Sequence, residues 1–160
     1  MMAKSKEPYV KTSPHRVAFY LPSVTNGTPT ATEEHIREAV RTFLVNTFHG
    51  ATEVKTVGFY NDAESKTVVQ EEIKYYYSFC PDEGWEDHLD EIRRVANMVC
   101  IEFAQSEVSA EIDSVMHFYK PTERYRERYA YLRAKESLDS APKWSVFLKY
   151  ISKKTRDSLG

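Results

Sequence analysis

Apolar and polar positions along this chain switch between a period of two and one near 3.6, and the switches outline the fold. Val17, Ala18, Phe19, Tyr20 and Leu21 read as a strand that ends at Pro22 and Ser23. After a loop-forming stretch, Thr30 stands where it can cap a helix, with Glu33 three residues on to reach back to the cap amide. Ile36, Ala39, Val40, Phe43, Leu44 and Thr47 recur at helical spacing, and His49-Gly50 ends the run, Gly50 supplying the left-handed backbone of a helix C-terminus. From Thr52 the period is two, with Val54, Thr56 and Gly58 on one face and Glu53, Lys55, Val57 and Phe59 on the other. Gly58 inside a strand predicts a bulge, or close approach by another backbone or a ligand. Residues 61–66 read as a polar turn and 68–80 as the strongest strand, stopped by Pro81. Asp82 is placed to cap a second helix. Its stripe is Trp85, Leu89, Ile92, Ala96, Val99 and Phe103, and residues 108–119 then alternate as one last strand.

The order strand–helix–strand–strand–helix–strand is the double split unit of ferredoxin-like domains, an α+β arrangement with an antiparallel sheet. The predicted organisation is a flexible N-terminal arm over residues 1–15, a ferredoxin-like domain over 16–120 and a helical C-terminal extension over 121–160. Pro121, Thr122 and Glu123 open a helix carrying Tyr125, Tyr129 and Leu132; Ala141-Pro142 interrupts it, and Trp144, Phe147, Leu148 and Ile151 form a further apolar stripe.

Such a sheet has one helix-covered face and one open face. The pattern assigns Val17, Phe19, Leu21, Ile73, Tyr75, Tyr77, Ile112 and Met116 to the helices. Tyr20, Val57, Phe59, Tyr76, Val115, His117 and Tyr119 are left facing away. So many exposed aromatics predict an interaction surface. Burying ~400 Å² of apolar surface at ~25 cal/mol/Å² is worth about 10 kcal/mol before association costs. Either the C-terminal helices cover this face or copies of the chain pack on one another; closed symmetric assembly favours the second.

Composition narrows the class. Hydrophobic residues make up 41% and charged residues 29%, as in soluble globular proteins. The net charge of -2 gives no overall drive toward nucleic acid or an anionic membrane, and no run is apolar enough for a membrane helix. Cys80 and Cys100 lack metal-ligand spacing and read as buried thiols in a reducing cytoplasm. Arg126 and Arg128, between Tyr125 and Tyr129, read first as a solvated helix face; acidic neighbours argue against nucleic acid.

No phosphate loop, nucleophile elbow, zinc helix or calcium loop is present, and no metal or cofactor is predicted. Chemistry rests on carboxylates in strands: Glu71 and Glu72 at the start of the third, and Glu111 and Asp113 in the last. Acids are disfavoured there. The plain reading is a solvated edge with Lys55 or Lys74 opposite; the sharper one is a cleft that meets a cationic or hydroxyl-rich ligand. His117 reads as an interface residue, His49 as a partner of a helix dipole, and His15, His35 and His88 as surface residues. Ser23, Thr25 and Asn26, where the first strand meets its loop, fit either ligand contacts or ordinary turn chemistry.

Residues 17–119 resemble the PII-like branch of the ferredoxin-like fold. Tyr20-Leu21-Pro22-Ser23, His49-Gly50-Ala51-Thr52, Gly58-Phe59-Tyr60 and Glu71-Glu72 carry the resemblance. Small bacterial and phage proteins with a Gly-Ala-Thr element after the first helix share these features, and so, more faintly, do the phage S-adenosylmethionine lyases. Those are small trimers that deprive host restriction systems of their cofactor. The resemblance implies a homotrimer in the host cytoplasm with substrate in clefts between subunits. It implies Glu71 and Glu111 as the catalytic carboxylates, and Ser23, Thr25, Gly58, Tyr60, Glu72 and Tyr76 as ligand contacts. The alternatives are a non-enzymatic PII-like binder of a nucleotide-like ligand, whose loop over 61–67 would respond to binding, or a structural oligomer.

Overall fold

The computed structural model describes residues 12–22, 31–103, 105 and 107–134. The expectations for Ser23, Thr25, Asn26, Thr30 and the apolar stripe from Trp144 to Ile151 lie outside the described residues, as does most of the N-terminal arm. The elements are β1 (His15–Pro22), α1 (Ala31–Phe48), β2 (Thr52–Asn61), β3 (Val68–Cys80), α2 (Trp85–Glu102), β4 (Val108–Ile112), β5 (Val115–Tyr119) and α3 (Glu123–Ala134). They build a five-stranded antiparallel sheet ordered β2-β3-β1-β4-β5, an α+β arrangement compatible with a ferredoxin-like fold.

The single last strand expected over 108–119 is a hairpin. Asp113 and Ser114 both take positive φ, 50° and 67°, the two-residue turn that matches the right-handed twist of paired strands. Ile112 therefore pairs with Val115 and Glu111 with Met116. The turn interrupts the alternation, so Met116 leaves the helix-covered face while Val115, His117 and Tyr119 join it.

β3 is also one residue out of the expected phase. Phe19, buried under the helices, lies opposite Tyr76, and cross-strand partners share a face. Tyr76 is thus wholly buried beneath the helices, while Ile73, Tyr75 and Tyr77 face away with Tyr20. The shift carries into β2, where Val57 opposes Glu72 and lies on the helix-side face together with Phe59. Three adjacent tyrosines gave no alternation from which to choose the phase.

α1 and α2 pack on one face, α1 against β3 and α2 against β4 and β5. Phe19, Ile36, Phe43, Leu44, Ile92, Met98 and Phe103 fill the space between. α1 ends at Phe48 with His49 in the left-handed conformation (φ 69°), so His49 takes the role expected of Gly50. Its amide donates to the Val45 carbonyl at 2.9 Å. α2 starts behind Gly84 (φ 77°), with no side-chain cap from Asp82. α3 is capped by Thr122, whose hydroxyl accepts the Tyr125 amide at 3.1 Å. Tyr125 and Tyr129 join the core cluster and Tyr129 donates to Glu102 of α2, so α3 extends the helical layer and does not cover the open face. Cys80 and Cys100 are buried free thiols, their pKa values raised by burial.

Asp82 serves elsewhere. The ring of His15 donates to Asp113 at 2.8 Å and Asp82 at 2.5 Å, and stacks on Trp85 with centroids 4.7 Å apart. Two carboxylate acceptors on one imidazole favour the doubly protonated ring. The clasp joins the start of β1, the β3–α2 connection and the β4–β5 turn, so His15 is not the plain surface residue expected. The Asp113 hydrogen bond raises the His15 pKa above 6.5, against a smaller opposing effect of desolvation. At Asp113 desolvation acts upward, but hydrogen bonds from His15 and the Arg16 amide leave its pKa below 3.8. The His15 contribution is therefore complete below pH 6.5 and lost as pH rises through its raised folded value; that of Asp113 is lost as pH falls below 3.8. Wild-type melting temperature is expected to fall between pH 6 and 9 relative to His15→Gln. Parallel curves for the two proteins across that range would remove the clasp as a source of pH dependence.

Candidate functional site on the open sheet face

The open face is built by one alternation across the sheet: Arg16 and Tyr20 from β1, Tyr60 from β2, Glu71, Ile73, Tyr75, Tyr77 and Phe79 from β3, Glu111 from β4, and Met116 and Phe118 from β5. It is aromatic, as expected, but with a different membership. Tyr20 lies 5.2 Å from Tyr75, Tyr75 6.0 Å from Tyr77, and Tyr77 5.8 Å from Phe79, as a continuous row of rings. Phe59 on the edge strand and Phe118 are 67% and 64% exposed, which leaves large apolar surfaces in water at both sides of the sheet.

At one end of this face, where β1 ends and β4 begins, a cleft of about 160 Å³ is lined by Tyr20, Pro22, Glu71, Ile73, Gln105, Glu107, Val108 and Ser109. Two carboxylates, a phenol, a hydroxyl and an amide line it, with no cationic side chain among the described residues. Such a lining suits a positively charged or hydroxyl-bearing ligand. The cleft wall is fixed from behind. Arg37, 1% exposed, reaches from α1 to donate to the Pro22 carbonyl at 2.7 Å and to Glu34 at 2.5 Å, with its guanidinium over the Phe103 ring. Gln105 donates from its side chain to the Phe103 carbonyl at 3.1 Å.

Glu71 lies directly opposite Gly58, and Tyr60 is one diagonal step along the same face. The strand pairing runs through Gly58 without a bulge; a side chain there would collide with the tip of Ile73, which packs over it. Glu71, Gly58 and Tyr60 thus share one corner of the open face. Glu72 and Tyr76 are on the opposite face, because they alternate with Glu71 and Tyr75 along the strand. Tyr76 is fully buried with the Glu53 carboxylate beside its hydroxyl; burial first, and Glu53 second, push its pKa far up. Its ring has no access to the open face.

Glu111 is on the same face as Glu71 but not beside it. Glu111 stands level with Ala18 of β1, whereas Ile73 stands level with Pro22 and Glu71 lies beyond it. At the rise of a strand that separation is roughly 20 Å within one chain. Glu111 forms an ion pair with Arg16 at 3.0 Å, and Arg16 lies over the Tyr77 ring at 4.8 Å. Burial, and then the Glu111 charge, raise the Tyr20 pKa.

The residues that sequence reasoning left out are Tyr20 as a cleft wall, Glu107 and Ser109. Glu107 belongs to the short connection into β4, where a charge reads as ordinary loop composition. Only the pairing of β1 with β4, which sets Tyr20 opposite Ser109, brings it near Glu71. The loop over 62–67 is a tight turn, with Asp62 accepting the amides of Glu64 and Ser65 at 3.3 Å. No metal-ligand cluster occurs among the described residues.

No family model matches the chain, and no curated protein matches it. Among solved structures, a phage SAM lyase in complex with S-methyl-5'-thioadenosine superposes with a TM-score of 0.51 at 16% identity, covering 76% of this chain and 98% of that one. A phage SAM lyase in the apo state superposes with a TM-score of 0.48 at 15% identity, covering 74% of this chain and 96% of that one. The first of these similarities is a distant one that establishes a related fold.

Proposed function

We propose that this protein is an S-adenosylmethionine lyase of the phage type, converting S-adenosylmethionine to homoserine lactone and methylthioadenosine in clefts between the subunits of a homotrimer. The observation that carries this reading is the cleft itself, in which Glu71 and Glu107 stand beside Tyr20 with no cation among the described lining residues. The substrate carries a sulfonium and an ammonium, and this lining complements both. The fold similarity to a phage SAM lyase with a bound thioadenosine product supports the same choice.

The reaction needs no nucleophile from the protein. A carboxylate oxygen of the substrate attacks its own γ-carbon, the carbon–sulfur bond breaks, and the electron pair leaves with sulfur as neutral methylthioadenosine. The new carbon–oxygen bond closes the lactone. The protein's work is to hold the chain folded for in-line attack, as orientation of this kind accounts for much of the rate of intramolecular reactions. Glu71 is the carboxylate that holds the ammonium or sulfonium; Tyr60 and Tyr20 offer ring faces for cation–π contact or for the adenine. Glu111 lies too far from Glu71 in the same chain to share a substrate, so its catalytic role requires a neighbouring subunit. The 160 Å³ of the cleft is small for the whole substrate, which also argues for completion by a second copy. Phe59, Phe118, Val115 and Met116 supply exposed apolar surface for that contact.

On this reading residues 16–120 form a PII-like ferredoxin domain and residues 121–160 its helical extension, and the protein acts in the host cytoplasm, depleting the methyl donor on which restriction depends. The chain is expected to scatter light as a trimer and to release methylthioadenosine from S-adenosylmethionine, as read by chromatography. A monomeric mass would remove the intersubunit site. A trimer that binds S-adenosylmethionine without turnover would leave the binder, which the small acidic cleft also favours.

A further inference from the structure

A second cavity lies where α2, the end of β5 and the start of α3 meet. It measures about 290 Å³ and is lined by Arg93, Arg94, Asn97, Lys120, Thr122 and Tyr125, with Phe118 and Tyr119 at its side. That volume stands at the lower end of small-molecule sites. Its charge is the reverse of the Glu71 cleft. Three cations line it and, among the described residues, no carboxylate does. Asp90, just outside the lining, is shared between Arg93 at 2.7 Å and Arg94 at 3.5 Å. Arg93, Arg94 and Lys120 in its wall, with no carboxylate among the described lining residues, make the cavity electropositive.

A second, independent observation points to a ligand. Tyr125 is 6% exposed and its hydroxyl has no hydrogen-bond partner among the described residues, although the ring lines the cavity. A buried phenol without an acceptor is unfavourable, and buried polar groups in folded proteins are nearly always satisfied. Asn97, also 6% exposed, brings a polar amide to the same wall. The missing element is an acceptor that carries negative charge.

We infer that this cavity binds a compact oxyanion, the phosphate or carboxylate group of a small molecule, neutralised by Arg93, Arg94 and Lys120 and accepting a hydrogen bond from the Tyr125 hydroxyl. Planar guanidinium groups match such oxygens in pairs, and the low exposure of Arg94 and Tyr125 strengthens each contact. Thr122 is held in place as the cap of α3, so its hydroxyl is fixed at the cavity rim. The site is distinct from the Glu71 cleft and stands whether or not the lyase reading holds.

The test is titration of the full chain with inorganic phosphate, and separately with acetate, at constant ionic strength, followed by amide chemical shifts. A saturable response centred on residues 93–97 and 118–125 is expected, with phosphate alone, acetate alone or both identifying the source of the oxyanion. Arg93→Ala combined with Lys120→Ala should weaken it at least tenfold, about 1.4 kcal/mol, while Lys55→Ala with Lys74→Ala removes equal charge elsewhere and leaves it intact. Tyr125→Phe keeps the ring and should weaken binding several-fold with the fold unchanged. Absence of saturation with both probes in the millimolar range, or a response that survives the Arg93/Lys120 double substitution, would overturn the assignment.

Discussion

Glu71→Gln is expected to lower methylthioadenosine production at least tenfold while the light-scattering mass stays that of wild type. The substitution keeps the shape of the side chain and removes only its charge. A carboxylate about 4 Å from a sulfonium or ammonium is worth up to roughly 4 kcal/mol at the effective dielectric of a protein surface, and tenfold in rate is about 1.4 kcal/mol. The exposed side of the cleft takes the expected effect below that ceiling. Among the described residues Glu71 faces no cationic partner in its cleft lining, so its loss strands no buried charge there and the fold has no reason to change. Wild-type turnover in this variant would withdraw Glu71 from the reaction, and with it the cleft on β3. The companion Glu107→Gln separates a general need for negative charge in the cleft from a role specific to Glu71.

The largest effect on stability is expected at Arg37, a residue with no place in the chemistry. Arg37→Ala should cost roughly 3–5 kcal/mol, the sum of a vacated space beside Phe103 and the end of β1 and a Pro22 carbonyl left without its donor. The guanidinium is buried, but Glu34 is 58% exposed and can turn to water, so the loss does not strand a charge in the interior. Arg37→Met separates the two contributions, since it restores most of the volume and none of the hydrogen bonding. Urea unfolding of the three proteins provides the measurement. A midpoint for Arg37→Ala within error of wild type would mean that β1 keeps its end without this anchor. Because Pro22 is a wall of the Glu71 cleft, Arg37→Met should also raise the KM for S-adenosylmethionine before it lowers kcat.

Much of the architecture was written in local pattern. The stripe of Ile36, Ala39, Val40, Phe43 and Leu44 is the buried face of α1, and Trp85, Ile92, Ala96 and Val99 are on the buried face of α2, with Phe103 buried just past its end, whereas Leu89 of the expected stripe is 37% exposed. Periods near 3.6 over five turns leave little freedom. The strand segments were also evident from their β-branched and aromatic residues. What local pattern could not supply was the phase of β3, because Tyr75, Tyr76 and Tyr77 suit either face equally. The hairpin at Asp113-Ser114 hid inside what reads as continuous alternation, since a two-residue turn of this kind needs only positive φ at two small polar residues.

The same division holds for the candidate site. Glu71 and Gly58 drew notice as an acid and a glycine inside strands, and those anomalies can be seen in any single segment. Glu107, Tyr20 and Ser109 carry no anomaly of their own; they become a site only because β1 pairs with both β3 and β4, which brings distant segments to one corner. His15 likewise reads as a surface residue until the β4–β5 turn and the β3–α2 connection deliver two carboxylates to its ring.

The amino-acid order alone determined which segments coil and which extend, since side-chain periodicity acts over a few residues. Tertiary structure decided which side of each strand faces the helices, which charges meet and where cavities open. Those outcomes depend on register between segments remote in the chain, and a shift of one residue in register reverses every side chain it touches.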